Sequence, residues 1–197
     1  MTTTGLLLAA GHSRRFGEDN KLLVPYCGKL LVSHAADAMR GAKLDYLIAV
    51  VSDKRVAELL YGFEICRLKA DGLPQSASLR AGILHWSALS PHVFADGPHG
   101  LADGLSQILV VLGDMPLVTS EHLRAVVDRC SANSASASTD GKHRMPPACF
   151  PSSMTEDLLA ATGDRGAGPL LKALPEDALV EAPKGTLKDV DTVDDLD

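Results

Sequence analysis

Four short stretches of the chain carry the residue types that can do chemistry. In the first, the apolar run Leu6-Leu7-Leu8-Ala9-Ala10 ends at Gly11-His12-Ser13-Arg14-Arg15-Phe16-Gly17, with Asn20-Lys21-Leu22-Leu23 close behind. A strand that stops at small residues lets backbone N–H groups approach an anion, and Arg14, Arg15 and Lys21 balance the charge those dipoles leave. This is chemistry for holding phosphates. The second stretch is Leu112-Gly113-Asp114-Met115-Pro116, a carboxylate directly after an apolar run that a proline then ends. Magnesium carried by a nucleotide takes one or two such carboxylates together with phosphate oxygens and water. Turn formation or helix capping accounts for a single aspartate at a strand end equally well.

The third stretch, Gln75-Ser76-Ala77-Ser78-Leu79-Arg80-Ala81-Gly82, has the composition of a helix opening. Either serine can cap it, and the small side chains leave room for a flat base and its ribose. In the fourth, Asp189-Val190-Asp191, alternation points both carboxylates to one side of an extended segment. They repel one another unless a cation lies between them.

Two familiar nucleotide loops are excluded. The first turn lacks the glycine spacing of a dinucleotide-binding fingerprint, and the Gly-Lys-Ser/Thr of a P-loop is absent. No Ser–His–Asp or Cys–His arrangement suggests covalent catalysis. His85, His92 and His99 recur every seven residues, which is not a metal-ligand spacing, and they read with His12 as loop residues.

Short apolar runs alternating with amphipathic stretches would position these residues. Strands are expected at 4–9, 46–51, 64–68 and 108–112, with helices at 31–40, 54–61, 76–86 and 121–130. The runs Tyr-Leu-Ile-Ala-Val-Val and Ile-Leu-Val-Val-Leu are apolar at consecutive positions, as in strands covered on both faces. The alternation predicts an α/β fold: a Rossmann-like, mostly parallel central sheet with helices on both faces, in one domain over 1–197. Ligands of such sheets bind beyond the carboxyl ends of the strands, which singles out the loops after Ala9 and Leu112 and the stretch from Leu73 to Ser78. Residues 87–107, rich in Gly, Pro and His, read as a long connection, and 131–139 as a weak strand.

The 197 residues carry a net charge of −6, with 46% apolar and 22% charged residues. An acidic chain with a local basic loop suits a small anionic ligand rather than nucleic acid or an anionic membrane. The scattered cysteines (Cys27, Cys66, Cys130, Cys149) read as reduced, mostly buried thiols. The start of the chain shows neither signal nor membrane segment, so a cytoplasmic location is expected.

Taken together, the stretches resemble the molybdenum-cofactor nucleotidyltransferases, most closely the cytidylyltransferases. The resemblance rests on Leu8-Ala9-Ala10-Gly11-x-Ser13-Arg14-Arg15-Phe16-Gly17-x-x-Asn20-Lys21, Gln75-Ser76-x-Ser78-Leu79-x-x-Gly82, Leu112-Gly113-Asp114-Met115-Pro116, Gly163-Asp164-Arg165-Gly166-Ala167 and Asp189-Val190-Asp191-Thr192-x-x-Asp195-Leu196. It implies a nucleotidyltransferase domain that moves CMP from CTP to a phosphorylated acceptor such as molybdopterin, releasing pyrophosphate. By the same resemblance, Ala9, Ala10, Gly11, Ser13, Arg14 and Arg15 would cradle the triphosphate, with Lys21 reaching the phosphates. Ser76 and Ser78 would lie near the base and ribose, and Leu8, Gln75 and Gly82 would be further nucleotide-binding residues. Arg15, Lys21 and Asp114 would be catalytic, and Mg2+ would sit on Asp114 with Asp189 or Asp191 opposite. A molybdoenzyme or its chaperone would receive the product. Ala10 and Asn20 favour the cytidylyl branch over guanylyl transfer; a sugar-phosphate acceptor and a non-catalytic nucleotide-binding domain are the other readings. The sequence departs from the family at Met145, where a glycine is usual, and at Leu73-Pro74-Gln75.

Overall fold

The first strand, β1 (Thr2–Ala9), is almost wholly buried, and its side chains divide strictly between two cores. Leu7 and Ala9 join one cluster while Leu6 and Leu8 join the other, so a helical layer covers each face of the sheet. The computed structural model describes residues 1–11, 20–69, 72–93 and 106–196.

After β1 come the short hairpin strands β2 (Pro25–Tyr26) and β3 (Lys29–Leu30), then α1 (Leu31–Gly41), β4 (Tyr46–Val51), α2 (Lys54–Leu59) and β5 (Glu64–Arg67). Helix α3 (Gln75–Val93) precedes β6 (Ser106–Leu112), followed by α4 (Ser120–Arg129), β7 (Ser136–Thr139), β8 (Arg144–Pro151), α5 (Thr155–Leu159), α6 (Gly168–Lys172) and β9 (Leu179–Glu181). The main sheet runs β5-β4-β1-β6-β8-β7-β9. Among the described strands of this sheet only β8 runs against its neighbours.

The strand order reverses at β1, which has β4 on one side and β6 on the other. A crevice opens beyond the carboxyl ends of two strands at such a point. Helices α1 and α4 pack Val32, Met39, Leu123 and Val126 on one face of the sheet. Helix α3 lays Leu79, Ile83 and Trp86 on the other. Gly82 permits that close approach: a Cβ there would stand 2.6 Å from Leu6 Cδ1 and 2.9 Å from Val50 Cγ2.

Two sequence expectations change. The expected long connection is partly helix, because Trp86 and Leu89 continue the apolar period of α3 as far as Val93, and β6 already begins at Ser106. Residues 94–105, including His99, lie outside the described residues. The expected weak strand narrows to β7, with residues 131–134 forming a turn closed by a Ser131–Ser134 bridge. All four cysteines are free; Cys130 and Cys149 are buried as expected, but Cys27 is exposed on the β2–β3 turn.

Candidate active site

At the end of β1 the chain leaves the sheet through Ala10 and Gly11, and at the end of β6 it leaves through Gly113 and Asp114. The two exits are tied together, since Gly113 N–H donates to the Leu8 carbonyl at 2.9 Å. A cavity of about 160 Å3 lies between them, lined by Leu8, Ala10, Gly11, Lys21, Leu22, Leu73, Gln75, Ser78, Leu112 and Asp114. The amino end of α3 contributes Gln75 and Ser78 to this lining, and the positive end of its dipole makes the space favourable for an anion.

Lys21 is the centre of the arrangement. Asn20 fixes it by capping the 3-10 turn Lys21–Leu23, its Oδ1 accepting from Leu22 N–H at 3.0 Å. Asn20 Nδ2 in turn donates to Asp53, the cap of α2, whose carboxyl Arg55 holds down to about 2. The Lys21 ammonium, only 9% exposed, lies 2.7 Å from Asp114 Oδ2, 3.0 Å from Asp191 Oδ1 and 2.9 Å from the Val190 carbonyl. These three partners match its three donors. Burial pulls the Lys21 pKa down, but Asp114 and then Asp191 outweigh it, leaving the ammonium titrating above the ordinary lysine range.

The segment carrying Asp189 and Asp191 docks by its backbone. Val190 is buried, its N–H donates to the Asp114 carbonyl at 3.0 Å, and its own carbonyl accepts from Lys21. Asp189 is exposed and Asp191 half-buried on either side of it, and among the described residues Lys21 is a cation beside Asp191. Asp189 is raised above the usual carboxylate range by desolvation and further by the Asp191 and Asp114 charges. Asp195 orders the turn that presents Asp191: its Oδ2 accepts from Thr192 N–H at 2.9 Å, Thr192 Oγ1 at 2.8 Å and Asp191 N–H at 3.2 Å. Thr192-x-x-Asp195 is a capping-box spacing, and that signal makes this support legible in the sequence.

One atom stands out. Among the described residues Asp114 Oδ1 is buried with no hydrogen-bond partner, while its sister oxygen pairs with Lys21. A buried carboxylate oxygen without a partner is costly unless a cation or donor meets it. A hard oxygen donor on a residue that lines a cavity suited to phosphates fits magnesium. Among the described residues no three Asp, Glu, His or Cys side chains form a ready-made metal cage, so the remaining ligands would come from nucleotide and water.

The expected site residues are brought together in part. Leu8, Ala10, Gly11, Lys21, Gln75, Ser78 and Asp114 line one cavity, and Asp191 reaches it through Lys21. Ser76 does not line it: it sits two positions from Ser78, on another side of α3, and faces an outer groove with Arg80 and Ala161. Gly82 lies a turn further along, against Leu6 and Val50, where it serves helix–sheet packing rather than ligand contact. The Ala9 side chain belongs to the core. Ser13, Arg14 and Arg15, with His12, lie outside the described residues. His85 sits on α3 with its Nε2 3.7 Å from Glu64 Oε1.

Residues 5–178 match the MobA-like NTP transferase domain. The chain belongs to this family. It is a nucleotidyltransferase, and nearly the whole chain takes part in the similarity. It is 28% identical to the purine catabolism protein PucB of Bacillus subtilis over 209 aligned positions, covering 98% of this chain and 93% of PucB. It is 30% identical to the probable molybdenum cofactor guanylyltransferase of Pyrococcus horikoshii, over 64% of this chain and 56% of that protein. Among solved structures, Rv0371C of Mycobacterium tuberculosis in complex with manganese superposes with a TM-score of 0.74 at 25% identity, covering 99% of this chain and 96% of that one. Among the described residues of the nucleotidyltransferase, no helix is long and apolar enough to cross a membrane.

Proposed function

We propose that this nucleotidyltransferase moves CMP from CTP to a phosphate of molybdopterin, releasing pyrophosphate. The observation that carries the reading is the pairing of Asp114 with Lys21 on the wall of a cavity between the ends of β1 and β6, with a second Asp114 oxygen that meets no partner among the described residues. A phosphate oxygen of the acceptor forms a bond to the α-phosphorus while the bond from that phosphorus to the bridging oxygen of the pyrophosphate group breaks. Two anions must meet in line, so catalysis consists mainly of positioning and charge balance.

Gly11 and the amino end of α3 offer backbone N–H groups to the phosphates, and Ser78 offers a hydroxyl from within the cavity. Gln75 presents a carboxamide, both donor and acceptor, which suits the edge of a base. Arg14 and Arg15 supply charge for the departing pyrophosphate. Lys21 keeps Asp114 and Asp191 in place and offsets their repulsion. Asp114, with Asp189 or Asp191 on the docked segment, would hold Mg2+, which when bound supplies positive charge at the α-phosphate. Rv0371C, crystallised with manganese, supports a divalent ion in this fold.

Guanylyl transfer is the second reading, favoured by the similarity to the Pyrococcus horikoshii guanylyltransferase. One assay separates them: pyrophosphate release with Mg2+ and molybdopterin, comparing CTP, GTP, ATP and UTP. Release with CTP well above the others is expected. Preference for GTP transfers the assignment to the guanylyl reading, and nucleotide binding without release from any of the four overturns transfer altogether.

A further inference from the structure

The turn Gly163–Arg165, with Gly166 following it, has no part in the mechanism above, yet Gly166 lies against Gln75, which lines the cavity. Gly166 is buried, at φ +49° and ψ −123°, a conformation open to glycine and closed to residues with a Cβ. Its missing Cβ is filled by Gln75: a carbon there would stand 2.7 Å from Gln75 Oε1 and 3.4 Å from both Cδ and Cγ. The flat of the Gln75 side chain therefore rests on the bare backbone of Gly166. Gln75 lines the cavity, and among the described residues its carboxamide takes no hydrogen-bond partner.

A glutamine side chain at a helix start has three rotatable bonds, and its free rotamers would point the carboxamide in several directions. Here one of those directions is selected by a surface some ninety residues further along the chain. We propose that Gly166 is a positioning residue for base recognition: its backbone seats the Gln75 carboxamide so that the cavity discriminates among nucleobases. This rests on the reading of the cavity as a nucleotide site and adds to it the device that fixes its selectivity. Adding a methyl at position 166 strains this backbone whatever the space around it, and the methyl also meets Gln75. The atom in its way is the free end of a flexible side chain, which yields by swinging the carboxamide off its seat and changing what the base meets.

The test is a binding cycle on the full chain with CTP, GTP, ATP and UTP, by calorimetry, for wild type, Gly166→Ala, Gln75→Ala and the double variant. Wild type is expected to prefer one base. Gly166→Ala should lower the melting temperature, weaken that nucleotide about tenfold and flatten the preference, and the double variant should show the base preference of Gln75→Ala alone, because the glycine reaches the base only through the glutamine. Gln75→Asn guards against failure of Gly166→Ala to fold. It keeps the same functional group on a half-buried side chain but is one carbon too short to rest on Gly166, so it too should lose preference, but with an unchanged melting temperature. Additive losses of preference in the double variant, or full base preference in Gly166→Ala or Gln75→Asn, overturn the role of Gly166 while leaving the nucleotide site intact. Failure of wild type to bind any of the four removes the nucleotide site itself, and this inference with it.

Discussion

Replacing Asp114 separates its contact with Lys21 from the role proposed for its second oxygen in the reaction. In Asp114→Ala the buried ammonium loses its nearest partner, at 2.7 Å, and keeps Asp191 and the Val190 carbonyl. Breaking a fully buried pair costs about 3–5 kcal/mol. Here Asp114 is 20% and Asp191 50% exposed, and two partners remain, so roughly 2–3 kcal/mol is expected. For a chain of this length that lowers the melting temperature by about 4–12 °C. Asp114→Asn keeps a neutral acceptor for Lys21 and should cost about 1 kcal/mol. Both variants should lose on the order of a hundredfold or more in turnover, because neither offers a charged oxygen at the position of Oδ1. The raised pKa of Lys21 adds a pH signature. Its stabilisation is complete below the ordinary lysine range and disappears as pH rises through the higher folded value, so Asp114→Ala should unfold at lower alkaline pH than wild type. Thermal melts across pH with parallel pyrophosphate-release rates measure all of this. Asp114→Asn turning over within a factor of ten of wild type would refute the reasoning.

Asp189→Asn should raise the melting temperature at neutral pH. A carboxyl whose pKa is raised in the fold favours folding only below the ordinary carboxylate range, and that advantage is lost as pH rises through the folded value; an unchanged or lower melting temperature at pH 7 would contradict it. Gly82→Ala forces a methyl to within 2.6 Å of Leu6 and should destabilise by about 1–3 kcal/mol in denaturant titrations, with little change in nucleotide affinity. His122 is buried with Nε2 2.8 Å from Ser138 Oγ, which itself donates to the Pro147 carbonyl, and burial lowers its pKa. Stability from this group is present above about pH 6.5 and falls as acidification passes the lower folded value, so His122→Gln should flatten that limb of a pH–stability curve.

The four strands on the β5 side of the sheet and the first four helices were legible because each declares a period: consecutive apolar residues for strands covered on both faces, three-and-four spacing for helices. The β8 side was harder to read. Strand β8 is Arg-Met-Pro-Pro-Ala-Cys-Phe-Pro, whose prolines argue locally against a strand, and β7 is Ser-Ala-Ser-Thr, without large side chains. Helices α5 and α6 are five residues each, too short to complete an apolar stripe. Of the residues that line the cavity, Asp114, Lys21 and Ser78 were readable from type and position, while Gln75 came with the family resemblance. Ser76 and Gly82 share the local signature of Ser78, and only the rotation of α3 against the sheet separates them. That Lys21 reaches Asp191 and Val190 depends on a contact across 170 and 169 residues, which no local pattern encodes.

That long reach bears on when competence arises during folding. Ammonium and partner carbonyl belong to opposite stretches of the polypeptide, and such distant pairings form late because much chain must first be ordered. A molecule with β1, β4 and β6 already aligned but the Val190 stretch unseated would hold Asp114 and Lys21 without their brace. If the proposed site is the working one, copies with that stretch unseated are expected to turn over more slowly than fully docked ones.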